Sequence, residues 1–339
     1  MIKIRYLSRE QLNPVAWDEC VAASTQRLVY AFSWYLDALT TGPGAPHWGG
    51  FVAEGGGGYR AVMPVVFCRR FGFSCVYMPD YCQQLGIFCR EDWPVSTGFP
   101  VFLEHLTARF RWVAAYRFNE TNEQELDFPP GWPVTKRINH ILPLTKPYPD
   151  LYRGYATDRK TNLKRAENVG WRLEDITDIR PLLGLHRQHN EQKATGGLRL
   201  DLRIYDRFAA AVDQLVVRGK ARIRMAHSAD EKAPQAGGLF VHDGSRITYL
   251  FNGASEVGRK RQARLWMIDR LIRASAGRPI VFDFESPAVG AESVWAYYGS
   301  FGAEARSYSE IAYDRLPGPV RWARKAKRAM TRPFRSYRL

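Results

Sequence analysis

Three segments of the sequence gather side chains whose types and spacing could do chemistry. The first is Ser255-Glu256-Val257-Gly258-Arg259-Lys260-Arg261-Gln262-Ala263-Arg264, in which Arg259, Lys260, Arg261 and Arg264 crowd the start of a segment with helical periodicity. A helix N-terminus already carries roughly half a unit of positive charge, so cations there are unfavourable unless an anion joins them. Backbone N–H groups and these side chains together would hold a phosphate or pyrophosphate; the plainer alternative spreads them into water. The second segment is Asp283-Phe284-Glu285, closing the apolar run Pro279-Ile280-Val281-Phe282. Residues two apart on a strand share a face, and the carboxyl ends of strands in such sheets border ligand crevices. A carboxylate there would orient an incoming ammonium and take its proton, and two like charges so close would raise the pKa of one. Alternatively, Asp283 only caps the turn at Ser286-Pro287. The third is the aromatic pair Tyr297-Tyr298, which either offers a phenol to a reaction or alternates between core and surface.

Other constellations are weaker. His186-x-x-His189 with Glu191 has helical i, i+3 spacing but no further ligand, so surface polarity is expected and no metal. Five cysteines include Cys68, Cys75, Cys82 and Cys89 at intervals of seven, which is no zinc-ligand spacing. Together with Cys20 they read as buried or half-buried free thiols.

The elements that must position these residues come in two similar runs. Helices are expected near Pro14 to Ser24 and Ser33 to Thr40, the latter capped by Ser33. Phe51 to Glu54, a Gly55-to-Gly58 turn and Tyr59 to Phe67 read as a hairpin, followed by a strand at Cys75 to Met78. A Pro-rich stretch from Pro129 to Pro149 encloses an edge strand at Ile138 to Leu144, and a domain boundary is expected near residue 150. A helix of about ten residues should follow between an Asp158 N-cap and a Gly170 C′ residue. The second run has strands at Arg222 to Ala226, Gly238 to Val241 and Arg246 to Asn252. A helix from Lys260 to Ser275 then buries Leu265, Ile268, Leu271 and Ile272, and the Ile280-to-Phe282 strand comes after it. Strand, helix, strand in this order is a parallel crossover, which makes the sheets mixed and the class α/β (α+β).

A length of 339 residues suits two domains, and 45% apolar with 13% aromatic residues supplies two cores. The charged N-terminus lacks the apolar run of a signal peptide, and no apolar stretch is long enough to span a bilayer; the expected location is the cytoplasm. Of the formal net charge of +15, eight positives fall after Pro319 without an acidic residue. A basic helical face of Arg321, Arg324, Lys325, Arg328 and Arg332, with Trp322 on the other side, is expected over residues 320–339. It suits peripheral contact with an anionic inner membrane surface, an RNA backbone, or simple docking.

The order hairpin, strand, Gly-and-basic loop, helix, strand, Asp283-Phe284-Glu285 and Tyr297-Tyr298-Gly299-Ser300-Phe301-Gly302 resembles a GNAT N-acyltransferase core. Arg159-Lys160-x-Asn162-x-Lys164-Arg165-Ala166 with Gly170 resembles the opening of the second half in the Fem-type branch of that superfamily. The likeness covers most of residues 20–313. It implies tandem GNAT-like domains, mixed sheets flanked by helices, with boundaries 1–150 and 151–315 and a basic tail at 316–339. It also implies N-acyl transfer to an amine, borne by a cell-envelope precursor, amino sugar or lipid, from acyl-coenzyme A or aminoacyl-tRNA. By the same resemblance Asn252, Arg259, Lys260, Arg261 and Arg264 face the donor. Tyr81, Gln83, Gln84 and Lys160 face the acceptor, and Asp283, Glu285 and Tyr298 serve catalysis, Tyr298 as general acid to a leaving thiolate or ribose oxygen. Two departures stand out: the alternating glycines of coenzyme A-binding GNATs are missing, and Tyr298 replaces the Lys of the Fem-type Phe-Lys-x-x-Phe. The rival reading is a non-catalytic protein of this fold that binds nucleic acid, including tRNA, or a membrane surface.

Overall fold

A computed structural model describes residues 3–93, 95–193, 202–287 and 290–331. The chain divides into two compact units, Met1–Arg137 with Ser307–Leu339, and Ile138–Arg306. Both are mixed sheets with helices, as the expected α/β (α+β) class requires.

The first unit opens with β1 (Ile4–Ser8), α1 (Pro14–Ala22) and α2 (Ser33–Leu39). Asn13 caps α1 by accepting from the amides of Val15 and Ala16. Ser33 is not the cap of α2 but its first residue: its amide and hydroxyl both donate to Asp18, at 2.7 and 2.9 Å, which fixes the entry one residue earlier. β2 (His47–Gly55) and β3 (Gly58–Arg70) form the expected hairpin, with Gly56 and Gly57 at positive φ in its turn. β4 (Phe73–Val76), β5 (Phe88–Cys89), α3 (Val95–Arg109) and β6 (Trp112–Arg117) follow. β4 and β6 run parallel with α3 as crossover, whereas the other pairings are antiparallel. Trp17, Tyr35, Phe51, Phe88, Phe99, Phe102, Tyr116 and Phe118 fill this core.

The chain passes into the second unit along β7 (Val134–Pro143), then α4 (Tyr148–Arg153) and α5 (Thr157–Glu167). Asp158 is not the cap of α5. The amide of Ala156 donates to the carbonyl of Ser300 at 2.9 Å, the helix starts at Thr157, and Asp158 lies in its first turn, where a negative charge suits the helix dipole. β8 (Arg172–Ile176), α6 (Arg180–Lys193), α7 (Leu202–Val217), β9 (Ala221–His227), β10 (Ala236–Asp243) and β11 (Arg246–Ala254) come next. After them the expected helix starts at Ala263, three residues later than Lys260, and a short helix precedes it. Ser255 caps the short α8 (Glu256–Lys260), Gln262 turns left-handed at φ +59, and α9 (Ala263–Ser275) starts there. β12 (Val281–Asp283) and α10 (Glu292–Gly299) complete the unit. The sheet order is β7-β12-β11-β10-β9-β8, antiparallel except for β11 and β12, which flank the α9 crossover. Leu265, Ile268, Leu271 and Ile272 of α9 are buried against the sheet with Phe240, Phe282 and Phe284.

From Ser307 the chain is part of the first unit again. β13 (Glu304–Asp314) pairs antiparallel with β6, and α11 (Gly318–Thr331) follows. Val320 packs on Cys75, Trp112 and Leu316, and Arg324 pairs with Asp314 while lying 4.8 Å from the Trp112 ring. Arg324 thus points at the domain instead of joining a free basic face, and Trp322 is left 74% exposed. The side chains of Lys325 and Lys327 to Thr331, and residues 332–339, lie outside the described residues.

Candidate active site

Two features of β11 shape the site. It pairs with β12 only from Arg246 opposite Val281 to Thr248 opposite Asp283, yet runs on to Ala254. Beyond Thr248 the two strands part, and among the described strands none takes up that edge. β11 also carries one residue too many for its partner β10: Leu239 faces Phe251 and Phe240 faces Tyr249, so Leu250 is a bulge. The bulge resets the alternation. Phe251 packs at 4.5 Å on His186 and 5.2 Å on Phe208, whereas Asn252 reaches Arg264 on α9.

At the end of β12 the two carboxylates have different surroundings. Asp283 is buried and fully engaged: Arg246 donates at 2.5 Å to one oxygen, and Asn139 and the Glu285 amide donate to the other at 3.0 and 2.8 Å. Glu285 is not on the strand. It lies two residues past the end of β12, at φ +64, a left-handed conformation that non-glycine residues adopt at a cost of about 1 kcal/mol or more. Strand alternation therefore does not set its direction; the Asp283 carboxylate does, by holding its amide. The Glu285 Oε1 is buried and has no hydrogen-bond partner. Burial pushes its carboxyl well above the usual range, with no contribution from Asp283. The expected raised pKa is present, caused by desolvation and not by like charge.

The Tyr298 phenol stands beside Glu285, and two arginines lie against the neighbouring Tyr297. Tyr298 on α10 packs its ring on Phe284 at 5.1 Å and edge-on to His140 at 5.9 Å. Burial first, then the Glu285 charge, raise its phenol, which keeps it a proton donor. His140, on β7, is held neutral by burial, and its Nδ1 has no partner. Arg264, in the first turn of α9, donates to the Asn252 side chain at 2.7 Å and lies 5.9 Å from the Tyr297 ring. No carboxylate among the described residues pairs with it. Arg159, buried on α5, donates to the Ser300 hydroxyl at 2.7 Å and lies on the other contact of Tyr297, at 4.5 Å. The buried Tyr249 hydroxyl is also without a partner. A buried and a half-buried arginine beside phenols, with no carboxylate among the described residues paired to either, leave an environment that favours an anion.

The remaining candidates are placed elsewhere. Arg259 donates to the Ala254 carbonyl at 2.7 Å, Lys260 pairs with Glu256 at 2.7 Å, and Arg261 with Asp230 at 2.8 Å. Of the four cations at the loop, only Arg264 is turned toward the cluster. Gly258 packs so closely that a Cβ would stand 2.0 Å from the Gln235 carbonyl oxygen, which fixes the path of the loop. Lys160 caps the carbonyl of Arg153 at 2.9 Å. Tyr81, Gln83 and Gln84 belong to the first unit; the Tyr81 carbonyl accepts from Tyr35 at 2.7 Å, and the buried Gln84 accepts from the Glu120 amide at 2.9 Å. His186 donates through Nδ1 to the Asn252 carbonyl at 2.9 Å, which uses that nitrogen structurally. The side chains of His189 and Glu191 lie outside the described residues, and among those described no group of three His, Cys, Asp or Glu is placed to hold a metal ion.

Residues 155–309, which include the whole cluster except Asn139 and His140, match the family model of the acetyltransferase (GNAT) domain. That stretch, somewhat under half of the chain, is similar to the GNAT domain. Among solved structures, FemX is similar with a TM-score of 0.60 at 12% identity, over 94% of this chain and 99% of that one. The C-terminal domain of a putative lysylphosphatidylglycerol synthetase from Agrobacterium fabrum gives 0.55 at 10%, over 94% and 95%. L-PGS from Bacillus licheniformis gives 0.53 at 13%, over 96% and 98%. No curated protein sequence matches the chain. The chain shares its fold with these structures.

Proposed function

We propose that the chain transfers an acyl or aminoacyl group from an activated donor, acyl-coenzyme A or aminoacyl-tRNA, to the amine of a cell-envelope precursor, amino sugar or lipid. The observation that carries this reading is the Glu285 carboxyl, one oxygen of which is buried without a hydrogen-bond partner, beside the proton-donating Tyr298, whose phenol also senses Arg264. An ammonium entering beside Glu285 supplies the missing partner and restores its charge. The ammonium gives one proton to the Glu285 carboxylate, the free amine nitrogen then attacks the acyl carbon to form a C–N bond, and the second proton it sheds restores the Tyr298 phenol after the leaving group has taken that residue's own. The raised pKa narrows the gap between carboxyl and ammonium, which makes the first transfer less uphill. The C–S or C–O bond to the donor breaks, and Tyr298 protonates the leaving sulfur or oxygen. Asp283 acts through Glu285, whose backbone it holds, and Arg264 binds the donor's phosphate near the Asn252 end of β11. Tyr81, Gln83, Gln84 and Lys160 are assigned to the acceptor side on the resemblance alone. The exposed Trp322 and the basic residues around it suit an anionic membrane surface from which a lipid-borne amine is reached. No helix among the described residues is long and apolar enough to cross a membrane.

Calorimetric titration with acetyl-coenzyme A and, separately, with an aminoacyl-tRNA mixture at low and high salt tests the donor side. Binding of one of them that Arg264→Gln weakens at least tenfold supports the assignment. Equal affinity in the variant removes Arg264 from the donor site.

A further inference from the structure

The regular spacing of Cys68 and Cys75 becomes a structural pair in the first unit. They face each other directly across the β3–β4 hairpin, whose two-residue turn is Phe71 and Gly72, both at positive φ. Such a turn makes Arg70 and Phe73 a hydrogen-bonded pair, and the alternation then makes Cys68 and Cys75 another. The amide of Tyr77 donating to the Val66 carbonyl at 3.1 Å agrees with that parity. In such pairs the Cα atoms stand about 5.5 Å apart, within the span a disulfide bridges. The Cys75 thiol lies against the Val76 carbonyl at 3.7 Å; its closeness to Cys68, and then Arg70, lower the Cys68 pKa to about 6, whereas Cys68 and burial raise that of Cys75.

The other cysteines are different in kind. Cys20, Cys82 and Cys89 are buried, and burial raises all three, Cys20 and Cys89 to about 12. Cys68 alone is half-buried. Phe73 and Val320 pack beside the pair, with Leu316 at the approach to α11, so a small molecule has easier access than a protein oxidoreductase.

We propose that Cys68 and Cys75 form a reversible redox pair, in which Cys68 is the peroxide-reactive thiolate and Cys75 the resolving thiol. The Cys68 sulfur attacks a peroxide oxygen: an S–O bond forms, the O–O bond breaks, and the departing hydroxide takes up a proton as water. The Cys75 sulfur then attacks Cys68, forming the S–S bond and expelling the oxygen, which leaves as a second water with the Cys75 proton. Two thiols are oxidised by two electrons, and one hydroperoxide is reduced. A thiol reductant reverses the step through the exposed side of Cys68. The modification lies under the start of α11, so it alters the surface on which Leu316 and Val320 rest.

The test is a timed exposure of the native full chain to hydrogen peroxide, quenched by alkylation and read by peptide mass mapping. The expected result is loss of two alkylatable thiols at Cys68 and Cys75, a cross-linked peptide joining them, and recovery with dithiothreitol. In Cys75→Ser, Cys68 should stop as a sulfenic acid that dimedone captures, whereas in Cys68→Ser, Cys75 should stay unreacted. The proposal is overturned if Cys68 is oxidised no faster than Cys20, Cys82 and Cys89, or if the bridge joins another pair. It is also overturned if oxidation runs to forms that dithiothreitol does not reverse. The wild-type mapping decides even where a variant fails to fold.

Discussion

Replacing Glu285 with Gln should make the protein more stable, increasingly so as pH rises. The folded carboxyl titrates well above its unfolded value because burial disfavours its charge. Between those two values the native state holds a proton that the unfolded state has released. Folding then takes up a proton, and stability falls with rising pH. The loss is absent below the unfolded pKa, near 4.3, and is complete above the folded one. Inside the window each pH unit costs about 1.4 kcal/mol, so two units, from pH 5 to 7, cost up to about 2.7 kcal/mol. Gln keeps the size and the left-handed backbone of Glu285 but has nothing to titrate, so the subtraction isolates this one proton. For a domain of this size the difference amounts to roughly 5 °C or more in Tm. Thermal unfolding of both proteins at half-unit steps from pH 4.5 to 8 measures it. The curves should coincide near pH 4.5, apart from a constant offset, and diverge upward. Parallel curves throughout would show that Glu285 is solvated or paired, and the chemistry assigned to it would lose its basis.

Other variants separate roles within the cluster. Asp283→Asn should lower stability, since it removes the carboxylate charge that a nearly buried Arg246 meets at 2.5 Å; a neutral result in chemical denaturation would show that pair to be solvent-screened. Replacing Arg259, Lys260 and Arg261 together with Ala should change donor affinity less than Arg264→Gln alone, because the former have partners within the chain. Calorimetry with the donor decides between them, and the reverse order would return the phosphate to the α8 loop. Gly258→Ala should destabilise by about 2 kcal/mol or more through the clash with the Gln235 carbonyl, read as a lower Tm.

What the sequence makes legible here is local, and what it hides is pairing at a distance. The Gly55-to-Gly58 turn, the apolar stripe of α9 and the strand before Asp283 follow from periodicity and turn chemistry, and the structure has all of them. The bulge at Leu250 is set by the register with β10, which no local pattern in β11 records. Arg261 looks free until Asp230, 31 positions away, is brought beside it. Arg159 was visible within a basic helix, but its burial against Ser300 and Tyr297 depends on a segment 141 positions later. Asp283 and Glu285 stood out as a pair, yet their division of labour rests on a left-handed residue that nothing but the end of β12 imposes. The Pro-rich crossing drew attention to residue 150, whereas the compact unit starts at Ile138, inside a strand, because pairing with β12 and not composition sets that limit.

The central claim is that Glu285 takes the amine's proton during acyl transfer. It is tested most directly by single-turnover transfer of a radiolabelled acyl group, from acetyl-coenzyme A or an aminoacyl-tRNA mixture, to amines of a cell-envelope extract. Wild type should yield a labelled amide, and Glu285→Gln should form it about 10²- to 10⁴-fold more slowly with unchanged donor affinity. Equal rates in the two proteins, or no labelled amide from either donor, would contradict the account.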